Sequence, residues 1–176
     1  MRYTFLFLLF SQIVFAQQFF TSTGNVSFYS SAPLEDIQAD NQKMSGVIDF
    51  SNGQFAFKIA IQDFIFPNSL MQEHFNESYM ESEKYPYGIF QGTINNFLSL
   101  DLSKNNEVKC LGILELHGVK KEVEILSTII KENKEVRIES TFDVALKDFD
   151  IKIPKLVMYN IAENINVKVK ASLKSK

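Results

Sequence analysis

The chain has 176 residues, a formal net charge of −3 and a single cysteine, Cys110. That length suggests one domain, and the mild acidity argues against nucleic acid or an anionic membrane as a partner. One cysteine excludes an intramolecular disulfide, so hydrophobic burial must hold the fold.

The first sixteen residues are expected to be a signal peptide. Arg2 supplies a positive start, Tyr3 to Phe15 is almost wholly apolar, and Val14-Phe15-Ala16 has the small-residue pattern of a cleavage site. The apolar run is shorter than the roughly 20 residues of a membrane span, and no later stretch comes close. An exported protein that is not integral to the membrane is the expectation, with the mature domain at residues 17–176. Removing Arg2 moves the net charge from −3 to −4. Cleavage would leave Gln17 first, where a lipoprotein needs cysteine.

Gln17 to Thr23 reads as a short tail and Asn25 to Ser31 as a first strand, stopped by Ala32-Pro33. Leu34 to Asn41 reads as a connection with room for a turn of helix. Lys43 to Phe50 and Gln54 to Gln62 are strands joined through Ser51-Asn52-Gly53, an Asn-Gly hairpin signal. In the second of them Phe55, Phe57, Ile59 and Ile61 share one face.

Phe64 to Pro67 then leads into the one mature stretch that reads as a helix. Met71, Phe75 and Tyr79 recur at spacing four, with Leu70 and Ser78 beside them, while Glu73, Asn76, Glu77 and Glu81 face elsewhere. Tyr85-Pro86 ends it, because proline pushes the residue before it towards extended geometry. Strand character returns over Tyr87 to Phe97 and Ser99 to Asp101. Further strands follow at Glu107 to Leu116, Lys120 to Ile130, Val136 to Leu146 and Ile165 to Leu173. His117-Gly118 and Lys131 to Lys134 are the turns, and Asp148 to Pro154 is a loop.

About eight strands, nearly every one apolar on one face, define an all-β antiparallel fold wetted on one side. Alternation does not separate a barrel from a sandwich. No nucleophile elbow, phosphate loop, dinucleotide fingerprint or H-E-x-x-H motif occurs, so no catalysis and no cofactor is expected. Cys110 alternates with Val108, Gly112 and Leu114, as a buried inert thiol would. His117 is expected to be exposed and structural at its turn. His74 and Glu77 share a helical face, but two ligands are not a site. A solvated face or a polar contact is expected there, and no metal.

Two stretches resemble the YceI-like family. The first is Met71-Gln72-Glu73-His74-Phe75 with Tyr79-Met80, Lys84-Tyr85-Pro86 and Phe90. The second is Gly112-Ile113-Leu114-Glu115-Leu116-His117-Gly118-Val119-Lys120-Lys121. Met71-Gln72-Glu73 stands where the family often has Arg-Asp before its histidine. The resemblance implies an eight-stranded, lipocalin-like antiparallel barrel with one short amphipathic helix, located in the periplasm. It also implies an isoprenoid or quinone-like lipid held in an apolar tunnel. A homodimer is compatible with it. The wall residues chosen by alternation or helical stripe are Phe55, Phe57, Phe75, Tyr79, Phe90, Leu114, Phe142 and Val144, with His74 as the polar contact. The competing reading is an exported β-sandwich with a filled core that acts through its surface.

Overall fold

A computed structural model describes residues 18–31, 36–153 and 162–175. The expected signal peptide and Ala32-Pro33 lie outside the described residues.

Eight strands follow in order: β1 (Gln18–Ser30), β2 (Ile37–Asp49), β3 (Gln54–Ala60), β4 (Tyr87–Ile94), β5 (Asn106–Leu116), β6 (Val119–Glu132), β7 (Glu135–Ala145) and β8 (Asn164–Ser175). Each pairs antiparallel with the next, and β8 returns to pair with β1. The sheet is therefore a closed barrel, which removes the sandwich reading. The period-2 pattern of each strand puts one set of side chains inside and the other in water. On β7, for example, Val136, Ile138, Ser140, Phe142 and Val144 point inward, and Arg137, Glu139, Thr141 and Asp143 are exposed apart from the barrel interior.

Several boundaries differ from the sequence expectation, each for a packing reason. The supposed tail from Gln18 is the start of β1, where Phe19 is buried and Phe19 and Phe20 pair with Ile48 and Val47. The supposed connection is strand from Ile37, held by pairs such as Ala39 with Phe28. β4 stops at Ile94, and Phe97–Ser99 is a 3₁₀ turn that drives Phe97 under the barrel. The β2–β3 turn is four residues long, with only Gly53 left-handed at φ 76°. The β5–β6 turn is the tighter one: His117 and Gly118 both have positive φ and join Leu116 to Val119 directly.

Helix α1 (Ser69–His74) is capped by Asn68, whose Oδ1 accepts from the Leu70 and Met71 amides at 2.9 and 3.4 Å. It continues as a π turn over Phe75–Tyr79, where the Met80 amide donates to the Phe75 carbonyl at 2.9 Å. Met71, Phe75 and Tyr79 stay on the inner side, while Leu70 is exposed. Asn76 is not on the solvent face: it is half-buried, and its amide donates to the Gln72 carbonyl at 2.9 Å.

The end of the barrel away from α1 is solid. Phe19, Phe50 and Phe97 pack there, tilted and edge-to-face, at centroid separations of 4.5 and 5.2 Å, with Ile48, Val136 and Leu173 fully buried beside them. This aromatic floor sets the depth of everything above it.

Candidate ligand-binding cavity

Above the floor the barrel is hollow. A cavity of about 360 Å³ runs from Ile48, Ile129 and Ala171 near the floor up to Tyr79, Leu146 and Ile151 at the helical end. Ligand pockets span roughly 300–1,000 Å³, which puts this one at the lower end. The inward side chains of the upper half, Phe28, Phe57, Phe90, Leu114, Phe142 and Val167, remain only half-buried although they point to the barrel axis. Their unburied surface faces the void. Apolar wall atoms that face a void forfeit the dispersion contacts that a packed interior would supply, and an apolar ligand would restore them.

The roof is aromatic and comes from three elements. Phe75 of the π turn lies 5.0 Å from Phe66, 5.5 Å from Phe28 and 5.7 Å from Phe64, measured between ring centroids. Phe55 meets Phe90 at 4.9 Å and Phe57 at 5.9 Å on the opposite wall. Gly46 lets the Phe57 ring lie flat beside it, since a Cβ there would sit 2.1 Å from that ring.

The eight wall residues chosen from the sequence, Phe55, Phe57, Phe75, Tyr79, Phe90, Leu114, Phe142 and Val144, all line this cavity. His74 lines its rim and is exposed. No hydrogen bond joins His74 to Glu73 or Glu77, and among the described residues no three His, Cys, Asp or Glu side chains group as a metal site would require. The sequence reading missed Phe28, Phe64 and Phe66. Phe28 alternates with Val26 on β1, and Phe64-Ile65-Phe66 alternates too, with Ile65 turned outward. That pattern was short, and the segment looked like a lead into the helix.

Polar groups on the wall are few and uncharged inside. Lys58 and His74 are the basic side chains of the lining, both exposed, and no carboxylate lines it. Burial raises the Tyr79 phenol above its ordinary range, so it stays neutral. Cys110 is a free, buried thiol inside the barrel. Burial pushes its pKa up, and the hydrogen bond to Ser127 offsets only part of that.

His117 is buried, not exposed. Its Nδ1 donates to the Phe149 carbonyl at 3.0 Å, and its Nε2 lies 3.1 Å from a Glu81 carboxylate oxygen. The Tyr85 ring meets the imidazole edge-on at 4.5 Å and covers Gly118, where a Cβ would come within 2.5 Å of it. The Tyr85-Pro86 and His117-Gly118 segments, far apart in sequence, thus tie the exit of the helical segment to the β5–β6 turn. They position the roof and do not line the void.

A closed antiparallel barrel, packed at one end and hollow under a helix at the other, belongs to the class of eight-stranded barrels that can hold one small ligand. The family model of the YceI-like domain matches residues 18–173. The chain belongs to the YceI-like family. Among solved structures it is similar to a polyisoprenoid binding domain from Saccharophagus degradans implicated in plant cell wall breakdown. That match has a TM-score of 0.78 at 13% identity, over 92% of this chain and 99% of that one. It is also similar to BcnA of Burkholderia cenocepacia (TM-score 0.72, 14% identity, 86% of this chain and 96% of that one). A Campylobacter jejuni YCEI protein matches with a TM-score of 0.56 at 14% identity, over 99% and 92% of the two chains. No curated protein matches the sequence.

Proposed function

We propose that this protein binds the apolar chain of an isoprenoid or similar long amphiphilic lipid, and carries or stores it as an exported, periplasmic protein. The observation that carries the reading is the cavity: a hollow of about 360 Å³ inside a closed barrel, with no charged side chain in its interior. Burying a hydrocarbon there gains roughly 25 cal/mol per Å² and removes the cost of the void, so affinity needs no ionic contact. The similarity to a polyisoprenoid binding domain supports the same ligand class. Arg2 and the apolar run after it support export. The reading is of binding, not catalysis: His74, the imidazole at the rim, has no nucleophile hydrogen-bonded to it.

Uptake of an isoprenoid by delipidated protein tests this. Wild type is expected to bind with rising thermal stability. Phe142→Trp, which enlarges a half-buried ring facing the void, is expected to fold and to bind at least tenfold more weakly. Equal uptake by both, with the fold intact, contradicts the placement of the lipid in this cavity.

A further inference from the structure

One group of side chains in the cavity is not explained by packing. Cys110, Ser127 and Ser140 point inward from β5, β6 and β7 in an otherwise hydrocarbon wall. Ser127 and Ser140 face each other directly across β6 and β7, one inward layer above the Ile129–Ile138 pair and so in the deep half of the cavity. Ser127 is buried, while Ser140 keeps surface towards the void. Cys110 Sγ donates to Ser127 Oγ at 3.5 Å, and the two serine hydroxyls share one hydrogen bond of 2.6 Å.

Counting protons shows what is left over. The cluster owns three donor hydrogens, one thiol and two hydroxyl, because burial keeps the thiol protonated. Two hydrogen bonds use two of them. Whichever serine donates to the other, one hydroxyl hydrogen has no acceptor in the protein. Both serine oxygens have partners, so the cluster is stable as it stands, but it carries a spare donor that valine or alanine on these strands would lack, and Ser140 presents its surface to the void.

We propose that the Cys110–Ser127–Ser140 cluster recognises an uncharged hydrogen-bond acceptor, a carbonyl, ester or ether oxygen, on the end of the ligand that lies deepest in the barrel. This rests on the lipid-binding reading above and adds to it a direction and a head-group class. The ligand enters with a neutral oxygen-bearing end first. An anionic head is excluded from the inner end, since the basic side chains of the lining, Lys58 and His74, are exposed.

The test compares two probes on the delipidated full chain: an isoprenoid methyl ketone, and the hydrocarbon with the same carbon skeleton. Wild type is expected to bind the ketone roughly fivefold more tightly, the size of one net hydrogen bond. The bound ketone's infrared carbonyl band is expected to move to lower frequency. In a Ser127→Ala/Ser140→Ala variant the preference and the band shift are expected to vanish, with hydrocarbon affinity kept. Equal affinities in wild type, or a preference that survives in the variant, overturns the inference. Hydrocarbon binding without preference sinks this inference alone, whereas failure of both probes sinks the cavity reading with it. If the variant does not fold, the wild-type ratio and the carbonyl band decide.

Discussion

Val136 and Phe142 stand on the same strand, point the same way and carry the same alternation, yet Val136 is fully buried and Phe142 is not. The difference is the end of the barrel each belongs to. Below, Phe19, Phe50 and Phe97 come from a strand start, a turn and a 3₁₀ turn, and meet on the axis. Above, inward positions on β4 and β5 include Gly88, Gly92 and Gly112, and nothing crosses the axis until the Phe75 cluster of the roof. At the Gly92–Gly112 pair a Cβ on either residue would lie 2.0 to 2.3 Å from the facing strand's backbone, so these positions admit no side chain. Alternation therefore says which side chains point inward. Whether they meet is decided by turns, glycines and chain ends.

The largest test of that contrast is a pair of truncations. Phe97→Ala opens a packed floor and is expected to cost about 3–5 kcal/mol in denaturant unfolding. Phe142→Ala removes a half-buried ring whose inner side faces a void and is expected to cost less, about 1.5–2.5 kcal/mol, because that side has no packing to lose. Equal losses at the two sites would mean that the upper half is packed in solution.

His117 probes how the hollow end is held. His117→Ala removes the bonds to Phe149 and Glu81 and is expected to lower stability by about 1–3 kcal/mol. Amide exchange is expected to quicken around Glu81 and Phe149 while the floor stays protected. Uniform acceleration through the floor would contradict a role confined to the roof.

The smallest effect concerns Cys110. Its folded pKa is raised above the ordinary thiol value of 9.0. Its contribution is thus fully present below the unfolded thiol pKa and is lost as pH rises through the folded one. Stability is expected to fall from about pH 9 upward, less steeply in Cys110→Ala than in wild type. Identical alkaline slopes in both would place the thiol in water.

How far the sequence could be read follows the same division. The strands, the helix stripe of Met71, Phe75 and Tyr79, and the wall residues from Phe55 to Val144 were legible, because each rests on a local period. Closure of the sheet was not legible from the period: it depends on β1 meeting β8, more than 130 residues apart in sequence. His117 was misjudged because an exposed turn is the ordinary setting for His-Gly, and its partners Glu81 and Phe149 lie more than 30 residues away on either side. Phe28, Phe64 and Phe66 reach the cavity only through the fold that brings their segments to Phe75. Ser127 and Ser140 lie on different strands, and only the β6–β7 register places them opposite each other.

Native mass spectrometry of the protein purified from its own host, followed by organic extraction of the bound material, tests the central claim most directly. The account predicts one lipid per chain, released on unfolding and carrying a neutral oxygen function. A clean ligand-free mass, together with no uptake of added isoprenoid, would contradict it and turn attention to the outer face of the barrel.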